Sequence, residues 1–376
     1  MSIGEARANG EISTVANEEE KITTQSFKAT DKYVKLIGRS YEYNDALWIA
    51  LSGGGVEFSF YGKKAEITIK GDHVALSSNN HARIGIFVNG TRVIDDQLDK
   101  PMKTYTAFKS DTEQNVTVRV IKLSEAAMST LGIHEISVDA KDGIKPTPEN
   151  AHKIEFIGDS ITAGYGVDDE NKEHHFSTAT EDVTKTYAYK TAQALKADYS
   201  IVAYSGYGII SGYTSNDQKV TSQLVPSYYD KVGMSYGHFD NTLDVKSISW
   251  DFNKFVPDLI VINLGTNDDS YTKDDADKQA EYARQYVEFL KQVRVNNANA
   301  KILCTLGIMG DRLYPLVEKA IADYTKETGD ANIAAMKFDV QSAVDGYAAD
   351  WHPTEATQTK AAEKLIAQIK ELMEWS

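Results

Sequence analysis

Three short stretches hold residue types that could do chemistry together: Gly158-Asp159-Ser160-Ile161, Gly265-Thr266-Asn267-Asp268 and Asp350-Trp351-His352-Pro353. A serine hydroxyl is a poor nucleophile until a nearby imidazole takes its proton, and the attack is slow until fixed N–H donors meet the charge that develops on the carbonyl oxygen. Ser160 offers the hydroxyl. His352 offers the base, since an imidazole with an ordinary pKa of about 6.5 is largely neutral near pH 7. Asp350 is an acid that could orient that ring and stabilise its charged form. The Asn267 amide can donate an N–H to an oxyanion while its carbonyl is held elsewhere. Each residue also has a plainer reading. Gly, Asp, Ser, Thr and Asn are common turn formers, and Asp350 reads equally well as a loop acid. A motif gains meaning only from its context.

That context is a set of elements able to present the three stretches at one rim. The run Lys153–Ile157 is apolar and β-branched and breaks at Gly158, which predicts a buried strand, a tight turn at Ser160 and a helix behind it. The carboxyl end of such a strand is where open α/β sheets bind ligands, and the following helix start favours negative charge. Strands expected at 153–157, 199–205, 258–264, 301–307 and 335–340 alternate with helices at 186–196, 276–294, 312–327 and 354–374. This alternation predicts a parallel sheet with helices on both faces. In the last helix Ala361, Leu365, Ile366, Ile369, Leu372 and Met373 form one apolar stripe behind a Thr354 N-cap.

The front third reads differently. Alternating runs at 56–62, 65–70, 82–88, 92–94, 105–108, 116–121 and 133–138 follow one another closely, one of them closing on the hairpin pair Asn89-Gly90. They predict an antiparallel sandwich of jelly-roll type. Such a domain is either a packing partner that shapes the cleft or a carbohydrate-binding module; the packing role is the simpler expectation. A charged stretch with two prolines, 139–150, reads as the linker. The expected organisation is a disordered leader over 1–25, a β-sandwich over 26–142 and an α/β domain over 150–376.

The blocks Gly-Asp-Ser-Ile and Gly-Thr-Asn-Asp, followed by the Asp-x-His-Pro segment, resemble those of the SGNH (GDSL-type) hydrolases. With the sandwich in front and the segment Trp250–Phe255 before the second block, the chain is similar to carbohydrate esterase family 2, the two-domain acetylxylan esterases. The resemblance implies a three-layer α/β/α SGNH domain and a serine esterase that removes O-acetyl groups from xylan or related oligosaccharides. It implies Ser160, His352 and Asp350 as the catalytic set. It also implies an oxyanion site made by the Ser160 N–H, a glycine N–H and Asn267. Most members read Asn-x-Gly at the glycine; this chain reads Ser205-Gly206-Tyr207-Gly208, and Gly208 is the expected donor, with Gly206 the alternative. In the wider superfamily the acid lies three residues before the histidine, whereas Asp350 lies two before. Some family members use a backbone carbonyl in its place. Trp351 is the expected wall of the sugar site, a packed indole being the other reading.

Bulk properties bound the alternatives. A chain of 376 residues has room for two cores. A net charge of −15 disfavours nucleic acid and anionic membranes as partners while tolerating a neutral sugar. No apolar run is long enough to span a bilayer. Met1–Lys21 lacks the basic start and apolar core of a secretory signal, so cytoplasmic action on imported oligosaccharides is expected, with secretion the alternative. The single Cys304 lies in an apolar strand and reads as an inert buried thiol. His174 and His175 lack further ligands nearby and read as a solvated loop. No metal or organic cofactor is expected, and a homo-oligomer is left open. The other readings are an esterase or lipase for non-sugar acyl chains, and a carbohydrate-binding protein with a relic hydrolase site.

Overall fold

The computed structural model describes residues 24–73 and 79–376. Most of the expected leader lies outside these residues, but a strand already runs over Thr24–Phe27, pairing with residues 136–139.

The front domain is antiparallel. Its main strands are β1 (Gly55–Gly71), β2 (Arg83–Val88), β3 (Met102–Lys122) and β4 (Leu131–Ala140). The sequence pattern divides β1 and β3 into two runs each. In the structure each is one long strand, and the interruption in β1 is a pair of register shifts, between Gly62/Lys64 and Ala65/Glu66. An extra residue bends a strand without ending it. β3 therefore pairs with β1 along its length, while β4 takes the second half of β1 and β2 the end of β3. Phe58, Ile67, Ile84, Val118 and Ile136 fill the space between with no exposure. The linker is not free either: Lys145-Pro146 pairs with Ser59 and Phe58 of β1.

The second domain holds β5 (His152–Gly158), β6 (Ala197–Ala203), β7 (Leu259–Asn263), β8 (Lys301–Leu306) and β9 (Ile333–Lys337). They form one parallel sheet in the order β6-β5-β7-β8-β9. Its helices are α1 (Ser160–Ala163), α2 (Tyr187–Ala194), α3 (Thr266–Thr272), α4 (Ala276–Asn296), α5 (Tyr314–Thr328) and α6 (Glu355–Met373). Successive strand residues point to opposite faces, and the core divides accordingly. Ile157, Val202, Ile260 and Ile262 pack on Tyr282, Leu290 and Val317 of α4 and α5. Phe156, Ile201 and Val261 pack on Tyr187, Leu365 and Ile369 of α2 and α6. The result is the expected three-layer α/β/α arrangement. The chain leaves β5 for one neighbour and later returns to the other, so the strand order reverses at β5, the switch point at which such sheets bind ligands.

Buried polar contacts tie the domains together. Arg39, fully buried, donates to the carbonyls of Tyr229 and Lys231 and approaches Glu155 at 3.4 Å, with the rings of Tyr229, Trp250 and Phe252 around its guanidinium. Arg83 bridges to Asp168 at 2.6 Å and Arg92 to Asp182 at 2.8 Å. A buried charge is tolerated only when partnered in this way. The stretch Trp250–Phe255 thus serves the junction between domains.

Candidate active site

Ser160 begins α1 at the carboxyl end of β5 because the turn before it is tightly specified. A Cβ on Gly158 would lie 2.0 Å from Thr162 Oγ1, so only glycine fits. Asp159 caps α1, its carboxylate accepting the Ile161 N–H at 3.0 Å, and Gly164 ends the helix at φ +97°. Burial pushes the Asp159 carboxyl up to about 7.

His352 arrives from the loop before α6. Its Nε2 lies 2.9 Å from Ser160 Oγ. Its Nδ1 faces two backbone carbonyls, Ala349 O at 3.1 Å and Asp350 O at 3.2 Å. Carbonyls only accept, so the proton is on Nδ1 and Nε2 is free to accept from Ser160. Burial drives the His352 pKa down to about 4, opposed by those two carbonyls and the Asp350 charge.

The carboxylate of Asp350 does not reach His352, which corrects the expected acid of the set. Its Oδ2 accepts from the Tyr165 hydroxyl and its Oδ1 meets His175 Nδ1 at 2.8 Å. The reason is backbone geometry. Asp350 and Trp351 both lie in the left-handed region, at φ +49° and +63°. Two such residues in a row turn the Asp350 carbonyl toward the imidazole and its side chain away. Non-glycine residues hold this conformation only where the surroundings impose it. Tyr165 supplies much of that constraint, its ring stacking on His352 at 3.8 Å between centroids and 14° between planes. Gly166, at φ +62°, lets Ala349 approach to where a Cβ would lie 2.7 Å from the Ala349 methyl.

Asn267 stands in the first turn of α3, buried, and donates one amide hydrogen to Tyr207 O at 2.8 Å. Its second hydrogen remains. The expected donor Gly208 is corrected: its N–H is donated to Gln223 O at 3.1 Å. Its glycine identity has a packing cause, since a Cβ would lie 2.1 Å from Ser211 O and 2.7 Å from Asp268 Oδ2. Asp268, buried and pushed up to about 6, accepts the N–H groups of Ile209, Ile210 and Ser211. Gly206 stands at φ +82°, and among the described residues no acceptor takes its N–H or that of Ser160. Ser160 N, Gly206 N and the second Asn267 Nδ2 hydrogen are therefore the donors left for an oxyanion.

Trp351, next to His352 in the chain and 47% exposed, has its ring against Tyr347 at 5.1 Å, with Lys172 Nζ over it at 3.9 Å. His175, expected as solvated, is exposed yet holds Asp350. Cys304 is buried and pushed up to about 12. A separate cleft of about 570 Å³ opens at the amino ends of β5 and β6, where Lys35 pairs with Asp198 and Arg119 with Glu57. It contains no hydroxyl–imidazole pair. Sequence reasoning missed the Ala349 carbonyl and the role of Tyr165. Gly166 was the one visible signal, since a glycine beside a tyrosine can mark a close approach.

Profiles of known families match both domains. Residues 36–148 match the family described as carbohydrate esterase 2 N-terminal, and residues 154–365 match GDSL-like lipase/acylhydrolase. The chain belongs to the GDSL-like lipase/acylhydrolase family. Its two-domain form is that of the family 2 carbohydrate esterases. It is 30% identical over 331 residues to cellulase/esterase CelE of Acetivibrio thermocellus, covering 87% of this chain but only 38% of that protein's length. It is 24% identical to an acetylxylan esterase/glucomannan deacetylase of Cellvibrio japonicus, covering 94% of this chain and 92% of that one. A family two carbohydrate esterase from Clostridium thermocellum, solved in complex with cellohexaose, superposes with a TM-score of 0.78 at 28% identity, over 91% of this chain and 100% of that one.

Proposed function

We propose that the protein is a serine carbohydrate esterase that removes O-acetyl groups from xylan, glucomannan or related oligosaccharides. The observation that carries this reading is the 2.9 Å contact between Ser160 Oγ and His352 Nε2 beside three unclaimed N–H donors. In the proposed cycle Ser160 attacks the acetyl carbonyl as His352 takes its proton. The oxyanion is held by Ser160 N, Gly206 N and Asn267 Nδ2. His352 returns the proton to the departing sugar hydroxyl, and water activated by the same imidazole releases acetate from Ser160. The Ala349 and Asp350 carbonyls keep the ring in the required tautomer throughout. The exposed Trp351 ring suits stacking against a sugar face. The names of the relatives, an acetylxylan esterase/glucomannan deacetylase among them, support the substrate class.

The test is acetate release from acetylated xylan and acetylated glucomannan, with Ser160→Ala beside the wild type. A chain-length series of p-nitrophenyl esters runs in parallel. Acetate release lost in the variant, with acetyl far preferred over long acyl chains, is the expected result. Preference for long chains would move the protein to the lipases, and polysaccharide binding without acetate release would make it a binding protein.

A further inference from the structure

We propose that Glu125, a residue of the front domain, is a positioning residue for the oxyanion donor at Gly206. The proposal rests on the esterase reading above. Glu125 lies in the loop after β3, has no exposure, and projects its carboxyl across the domain boundary. Its Oε2 accepts both the Ser205 N–H, at 3.2 Å, and the Ser205 hydroxyl, at 2.5 Å. Ser205 immediately precedes Gly206, so this grip fixes one end of the peptide unit whose N–H is left for the oxyanion.

The other side of the same turn is held from within the second domain. Tyr213 N donates to Gly206 O and Asn267 Nδ2 to Tyr207 O, each at 2.8 Å. Without Glu125 the Ser205 side would keep only the longer backbone bonds at Tyr204, its N–H to Gly158 O and its carbonyl to the Tyr207 N–H, each at 3.3 Å, next to a glycine whose φ of +82° leaves it unusual freedom.

The loop that carries this carboxyl is itself clamped. Glu125 donates its N–H to Glu181 at 2.6 Å, and Lys122 Nζ donates to the carbonyls of Ser124 and Glu125 at 2.7 and 2.6 Å. Lys122, Glu125 and Glu181 are all fully buried. Lys122 thus spends its hydrogen bonds on the loop backbone, and the Glu125 carboxyl takes the Ala127 N–H on Oε1, at 3.4 Å, and Ser205 on Oε2. A buried acid is costly unless its oxygens are used, and here Oε2 has two donors, both on the residue next to the glycine. Oxyanion donors act through fixed placement, so the front domain completes the ester site from outside the domain that carries Ser160 and His352.

The experiment compares the full chain with Glu125→Ala, Glu125→Gln and Ser205→Ala on p-nitrophenyl acetate and acetylated xylan. Active sites are counted with a methylphosphonate ester that labels Ser160, and folding is checked by circular dichroism. In Glu125→Ala, kcat per labelled site is expected to fall about ten- to a hundredfold with KM nearly unchanged, the scale of the two hydrogen bonds lost at Ser205 and the signature of an interaction felt in the transition state. Glu125→Gln, whose amide oxygen can still accept from Ser205, should stay within about threefold of wild type. Ser205→Ala should fall between the two. A merely structural role would lower the count of labelled sites and the melting temperature but leave kcat per site intact; that result overturns the proposal. If Glu125→Ala does not fold, a wild-type kcat in Ser205→Ala overturns it. A wild type that hydrolyses neither ester would instead refute the esterase reading and is distinguishable from both.

Discussion

Replacing Asp350 by asparagine separates a Ser-His-carbonyl arrangement from a Ser-His-Asp triad. In a triad the carboxylate binds the ring N–H directly, and Asp→Asn there costs about 10⁴ in kcat, or about 5.5 kcal/mol at 1.36 kcal/mol per tenfold. Here Nδ1 is held by the carbonyls of Ala349 and Asp350, and Asp350→Asn leaves both in place. Asparagine also tolerates the left-handed backbone at φ +49°, which alanine would not, and its side-chain oxygen can still accept from Tyr165. What is lost is a partly exposed charge that favours the imidazolium through space. At the usual worth of such a pair, up to about 1 kcal/mol, kcat should fall by about fivefold and by no more than about tenfold. Initial rates of acetate release, with KM fitted separately, measure it. A fall of about a thousandfold in a folded variant would mean that the carboxylate swings onto Nδ1 during turnover, and the account of His352 given above would be wrong.

Four further outcomes follow from the same geometry. Asn267→Ala should lower kcat by about a hundred- to a thousandfold while KM holds, since in the proposed cycle it removes one donor to the oxyanion; steady-state kinetics on p-nitrophenyl acetate check it. With His352 depressed to about 4 by burial, kcat/KM should stay high down the pH scale and fall as pH drops through about 4, where a free imidazole would already be charged below about 6.5. The stability sign agrees: between about 6.5 and 4 the unfolded chain binds a proton on this residue that the folded chain refuses, so acidification across that window destabilises the fold, as unfolding at fixed pH values would show. Gly208→Ala must push against Ser211 O and the Asp268 carboxylate, at a cost of about 1–3 kcal/mol that thermal melting should record.

Much of the architecture was legible in local pattern. The period changes at Lys153, from alternating strands to strands interleaved with helices, because burial on one face and burial on both leave different spacings. The parallel strands and long helices therefore emerged within a few residues of their observed bounds. Less legible were β1 and β3, where bulges make one strand look like two.

Ser160, Asn267 and His352 were legible as candidates from residue type and from the blocks that carry them; the fold sets the first two behind adjacent parallel strands and brings the His352 loop onto Ser160. Their neighbours were not. Which oxygen of Asp350 faces the imidazole depends on two left-handed residues held by packing, and which glycine keeps a free N–H depends on whether Gln223 comes alongside. Tyr165 and Glu125 reach their targets from segments distant in the chain. Hydrogen-bond direction and ring stacking are decided over a few ångströms of space, and pattern along a chain carries no record of that distance. Residue types and periodicity were enough to name the groups that the fold brings together; only the folded packing decided what orients them.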